Sequence, residues 1–92
     1  MVITEEYLID KIKQHVSVDD IQVVDQSAAH KGHAGYREGG GSHFNMLVVS
    51  QDFEGLSQFK RHQKIYAVLK EEMKEAIHAL SIKALTPSEA AS

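Results

Sequence analysis

The stretch that decides the fold runs from Ser42 to Pro87: SHFNMLVVSQDFEGLSQFKRHQKIYAVLKEEMKEAIHALSIKALTP. Its opening, Ser42 to Ser50, alternates Phe44, Met46 and Val48 with Asn45, Leu47 and Val49. Both sets are largely apolar, so a central strand covered on much of both faces is expected. Gln51 to Leu56 makes a tight connection, and Ser57 is placed to N-cap a helix continuing to about Ile77. At about 100° per residue, Phe59, His62, Ile65, Tyr66, Leu69, Met73, Ala76 and Ile77 share one stripe. Lys60, Gln63, Lys64, Lys70, Glu71, Lys74 and Glu75 take the other side. Ala79 to Leu85 reads as another strand, and Pro87 suits the first position of a last helical turn.

Upstream, Thr4 can cap a helix whose first turn holds Glu5 and Glu6, favoured there by the helix dipole. Leu8, Ile9, Ile12 and Val16 recur at helical spacing and set its end near Val16. Ser17 to Asp20 reads as a turn and Ile21 to Asp25 as a short strand. Gln26 to Gly41, QSAAHKGHAGYREGGG, holds five of the six glycines and no apolar period, the pattern of an extended loop. The order α-β-β-α-β therefore predicts one α+β domain over residues 1–92. It comprises a three-stranded mixed sheet with its helices on one face, an irregular loop at about 26–41 and a frayed tail at about 88–92. The second and third strands should be joined by a right-handed parallel crossover.

Composition narrows the function classes. Forty-two per cent of the 92 residues are apolar, enough for a single small core. No apolar run reaches the roughly 18 residues of a membrane span, so no membrane association is expected. The N-terminal MVITEEYLID has acids where a targeting peptide has bases, which points to the cytoplasm. The mitochondrial matrix, after loss of a presequence, is the alternative. A net charge of −3 argues against general affinity for phosphate backbones. The chain has no cysteine, which excludes disulfides and self-contained thiolate clusters. A metal would need imidazole and carboxylate, or a partner's thiolates. Six histidines, at 15, 30, 33, 43, 62 and 78, supply the imidazoles.

His62 sits early in the long helix, where the dipole favours the neutral, metal-competent ring; packing in the core is the competing reading. His30 and His33 form H-x-x-H in the loop, and His43 opens the second strand. His15 and His78 read as structural, at the end of the first helix and at the helix-to-strand junction. Gly32 to Gly35 satisfies G-x-x-G, but between strands rather than between the helices of a nucleic-acid clamp. No catalytic motif is present, so no enzymatic activity is expected.

The order SHF, FEGLS, RHQ, IHAL and LTP resembles the BolA family. That resemblance implies a type II KH-like fold and a non-enzymatic role. It implies partnership with a monothiol glutaredoxin, in a heterodimer sharing a [2Fe–2S] cluster that includes glutathione. Cluster trafficking and iron homeostasis would be the output, and the chain alone would be a monomer without cofactor. By the same resemblance Arg61-His62 matches the family's R-H pair, and His62 would be the principal ligand. The cysteine-free loop, with Asp25 to His30 as D-x-S-x-x-H, is similar to the histidine branch of the family. The second ligand stays open among His30, His33 and His43. Lys60 and Arg61 would meet glutathione carboxylates or the partner. A nucleic-acid-binding regulator, using Lys60, Arg61 and Lys64 on DNA, is the alternative.

Overall fold

Thr4 sets the first helix. Its hydroxyl accepts the Tyr7 N–H at 3.0 Å, and α1 spans Glu5–His15. Leu8 and Ile12 are fully buried, and Val16 closes the helix as its C-cap, as the apolar spacing predicts. The computed structural model describes residues 2–26 and 43–92.

β1 (Val18–Asp25) begins earlier than Ile21. The Ser17 to Asp20 run suggests a turn, but Asp19 acts as an acceptor for a neighbouring connection. Asp19 Oδ2 accepts the Gln51 N–H at 3.0 Å, while Asp52 Oδ2 accepts that of Ser17 at 2.9 Å. An irregularity in register between Val18 and Asp20 absorbs the extra residue. β2 (His43–Ser50) lies in the centre of the mixed sheet, antiparallel to β1 and parallel to β3 (Ala79–Leu85). Phe44, Met46 and Val48 enter one core with Leu8, Ile12, Ile65 and Leu69. Cover on the second face of β2 is confined to the end of the strand, where Val49 is 5% exposed. Asn45 is exposed and Leu47 half-buried, and with Gln22, Val24, Ser81 and Lys83 they line an open cleft of about 410 Å³. The helices that supply Leu8, Ile12, Ile65 and Leu69 pack on the other side, and a chain this short cannot supply a full second covering layer.

A 3-10 turn, Gln51–Phe53, follows β2, and Gly55 at φ 76° turns the chain toward α2 (Gln58–Val68). Ser57 caps α2 by accepting the Lys60 N–H at 3.2 Å. The long helix is broken: Leu69 leaves helical geometry at φ −101°, ψ 21°, and α3 (Lys70–Glu75) starts anew. The buried stripe is also rotated from the expected one. Arg61, Ile65, Leu69 and Glu72 face the core, whereas Phe59 is 74% exposed and Tyr66 39%.

The rotation has an identifiable cause. Arg61 is 6% exposed, and its Nε donates to the Leu56 carbonyl at 2.9 Å. Its Nη1 reaches the Ala84 carbonyl at 3.0 Å and Glu89 Oε1 at 2.6 Å. Five donors in a planar fork make Arg suited to such a junction. Glu89 belongs to α4 (Pro87–Ala90), which carries a capping box with Thr86. Ser88 to Ala90 are therefore anchored rather than frayed.

Candidate functional site

The sheet register brings two histidines together. His43 opens β2, and its partner across the parallel ladder is Ala79, the residue after His78. The two rings lie with centroids 5.0 Å apart and planes tilted by 34°. His43 is half-buried and His78 exposed. The His43 carbonyl also accepts the Gln26 N–H at 2.7 Å. Gln26 and His43, the described residues on either side of 27–42, are therefore paired at the edge where the two imidazoles sit. A cleft of about 200 Å³ lies on the His43 side, with Gln26, Asn45, Ala79 and Ser81 in its wall. A second, of about 310 Å³, has Met73, Lys74, Ala76 and His78 in its wall.

His78 is placed by the end of α3. The Glu72 carbonyl accepts the N–H groups of Ala76 at 2.9 Å and Ile77 at 2.8 Å, ending the helix and turning the chain into β3. Glu72 is itself tied to α1. Its side chain is 1% exposed, and Oε2 accepts from the Tyr7 hydroxyl and from Lys11 Nζ, the latter at 2.6 Å. Burial pushes the Glu72 carboxyl up, but the bonds from Lys11 and Tyr7 outweigh it and hold the group below its usual range. Its Oε1 is buried without a hydrogen-bond partner among the described residues.

Two imidazoles on one tetrahedral metal, with metal–nitrogen bonds of about 2.0–2.1 Å, place their ring centroids about 5 Å apart. The His43–His78 spacing fits that arrangement, and imidazole is a ligand iron accepts. Among the described residues no group of three or more His, Cys, Asp or Glu side chains could hold an ion by itself. A metal at this edge would need further ligands from the 27–42 segment or from a second protein.

His62 lies elsewhere. Its neighbour Arg61 bonds to Ala84 and Glu89, so its turn of α2 sits over the C-terminal half of β3. His43 and His78 flank the start of that strand. From Ala79 to Ala84 the strand rises by about 16 Å. The structure thus joins His43 with His78, a residue that sequence alone marks as structural, and sets both apart from His62. The signal for His78 was present in the IHAL motif, immediately before the first residue of β3. His30, His33 and the Gly32–Gly35 tetrad lie outside the described residues. His15 is exposed in the last turn of α1.

The basic residues separate as well. Lys60 and Lys64 are exposed, as the sequence suggests. Arg61 is not offered to an anion, a partner or DNA: its guanidinium is committed to Glu89 and two backbone carbonyls. The Arg61 bonds, with the Thr86 backbone N–H, hold the Glu89 carboxyl down at about 2. An internal carboxylate therefore neutralises a cation that stands near the positive end of the α2 dipole.

Comparison with known proteins decides the family. The BolA-like protein family matches residues 12–89. The chain belongs to the BolA family. SufE-like protein 1 of Arabidopsis thaliana, chloroplastic/mitochondrial, is 42% identical over 87% of this chain but only 23% of its own length. Chloroplastic BOLA1 of the same plant is 40% identical over 90% of this chain and 53% of its own. The chain thus spans about a quarter and a half of these two relatives. The DNA-binding transcriptional regulator BolA of Haemophilus influenzae is 32% identical, covering 92% and 79%. The solved BolA1 structure from Arabidopsis superposes with a TM-score of 0.82 at 35% identity, covering 97% of each chain. The α+β fold with its three-stranded mixed sheet is thus the fold of BolA structures.

Proposed function

We propose that this BolA-family chain is a non-enzymatic partner module that shares a [2Fe–2S] cluster with a monothiol glutaredoxin. The observation that carries the reading is the His43–His78 pair, 5.0 Å apart at the edge where the 27–42 segment joins the sheet. The glutaredoxin would supply a cysteine and its bound glutathione a second thiolate. This chain would supply His78, with His43 or one of His30 and His33, in place of His62. Mixed Cys and His ligation raises a cluster's reduction potential, which suits transfer or sensing. The plant relatives' names favour an organelle, so the mitochondrial matrix gains on the cytoplasm as the compartment.

The test is reconstitution with a monothiol glutaredoxin, glutathione, ferrous iron and sulfide, followed by visible circular dichroism. The intact chain should convert the glutaredoxin homodimer spectrum into that of a 1:1 complex. His78→Ala should abolish the conversion and His62→Ala should retain it. Retention in His78→Ala removes the proposed edge, and no response to the intact chain removes cluster sharing altogether. Nucleic-acid binding is the second reading, supported by the exposed Lys60 and Lys64 and by the Haemophilus relative's name. It has lost Arg61 to Glu89.

A further inference from the structure

The face of the sheet turned away from the helices carries a grid of side chains set by the strand register. Phe44, Met46 and Val48 enter the core, so His43, Asn45 and Leu47 of β2 project to the opposite side. Gln22, Leu47 and Lys83 form one row across the three strands, and Val24, Asn45 and Ser81 form the next. The row after that holds His43 and Ala79. The cleft of about 410 Å³ over the first two rows and the cleft of about 200 Å³ at His43 share Asn45 and Ser81 in their walls. One concave surface therefore runs from the His43–His78 pair to Lys83, about 13 Å along the strands.

Val24 is 48% exposed and Leu47 half-buried, which gives this surface an apolar floor. Gln22, Asn45 and Ser81 add amide and hydroxyl groups able to donate and accept. Among the described residues Lys83 is the only Lys, Arg, Asp or Glu in either cleft wall, and it forms no ion pair. Such a surface is complementary to an apolar patch that carries a carboxylate. Coordination selects the occupant. In the cluster-sharing reading the thiolates come with the partner, and they must reach the space between the His43 and His78 rings. A protein seated there extends either over α3 or over the sheet. On the α3 side Lys74 and Glu75 share one cleft wall and their charges cancel, whereas on the sheet side Lys83 stands alone. We propose that the open sheet face, Gln22, Val24, Asn45, Leu47, Ser81 and Lys83, is the docking surface for the thiolate-donating partner, which sets a carboxylate against Lys83. This inference rests on the cluster-sharing reading and adds where the partner sits.

Other occupants fit the same residues less well. A second copy of this chain would bring another Lys83 and no acid from the cleft wall to answer it. Nucleic acid would find no aromatic side chain among the six on which to stack a base, and the net charge of −3 repels a polyanion at long range. β2 is paired on both sides, so the centre of the surface is presented by a firm backbone and little order is lost on docking.

The test titrates a cluster-loaded monothiol glutaredoxin with the intact chain, Lys83→Glu and Lys13→Glu, followed by visible circular dichroism. Lys83→Glu should raise the concentration needed for half-conversion at least tenfold. Lys13→Glu, exposed on α1, should leave it unchanged. Because Lys83 is exposed and forms no ion pair among the described residues, its variant should keep the urea midpoint of the intact chain, separating docking from folding. Independently of any variant, zero-length carbodiimide coupling of the intact complex, mapped by mass spectrometry, should join Lys83 to an Asp or Glu of the partner. Undiminished conversion by Lys83→Glu, coupling at Lys74 in place of Lys83, or a Lys83 bond to a second copy of this chain would each overturn the docking face while cluster sharing stands. If the intact chain produces no conversion, cluster sharing fails and this inference fails with it.

Discussion

Replacing Arg61 by alanine tests the junction that orients α2. Truncation removes donors from the Leu56 carbonyl at 2.9 Å and the Ala84 carbonyl at 3.0 Å, at a site 6% exposed. The Leu56 carbonyl then loses its donor at a cost of about 1–3 kcal/mol, whereas the Ala84 carbonyl keeps Gln58 Nε2 at 3.2 Å. The guanidinium also sits 6.0 Å from the Phe53 ring centroid, a contact that contributes about 0.5–1 kcal/mol. Taking the lower part of each range, Arg61→Ala should lose about 2 kcal/mol. For a domain of this size that is a fall of roughly 8–16 °C in Tm. Glu89 is 44% exposed, so its ion pair is screened and Glu89→Gln should cost far less. Arg61→Lys should fall between the two, since one ammonium cannot serve all of the fork's acceptors. Urea unfolding followed by far-ultraviolet circular dichroism measures all three variants. A loss below about 1 kcal/mol for Arg61→Ala would refute the argument from buried carbonyls. Equal losses in Arg61→Ala and Glu89→Gln would show that the ion pair, rather than the carbonyls, carries the junction.

Other expectations follow from the same geometry. The Glu89 carboxyl is held at about 2 against a usual 4.5, so its contribution is complete above pH 4.5 and is lost as pH falls through 2. Acid titration of stability should therefore decline less steeply in Glu89→Gln over that window; some slope remains from Glu72, which is lowered in the same direction. Gly55→Ala should cost about 1–2 kcal/mol from its left-handed backbone at φ 76°, without a clash, because nothing lies within 4 Å of an added Cβ. Ile65→Ala should cost about 2–5 kcal/mol and Phe59→Ala less than about 0.5, measured by the same unfolding assay. A loss in Phe59→Ala comparable to that in Ile65→Ala would mean that α2 packs by the face the sequence first suggests.

The element order and most termini were legible because they rest on interactions a few residues long. Thr4, Ser57 and Thr86 each bond an N–H in the following turn, and such caps are visible as residue type and spacing. The break at Leu69 was hidden, because apolar and basic periodicity continues across it without a glycine or proline. The rotation of α2 was hidden for a related reason. Phe59, His62 and Tyr66 look like core by hydropathy, and Arg61 looks like surface by charge. An acceptor 28 residues away reverses the two.

Sequence by itself determined the class of fold, the absence of thiolate ligands, and the family motifs that lead to histidine chemistry. Only the tertiary structure decided which histidines meet. His62 stood out because it occupies an apolar stripe, a local property. His78 becomes a partner of His43 only when β2 and β3 pair in parallel with His43 opposite Ala79. That register is set by burying Phe44, Met46 and Val48 under helices whose own orientation depends on Arg61, Glu72 and their distant partners. Capping and periodicity act within a turn or two of chain, while a binding edge is assembled by packing between segments far apart in sequence.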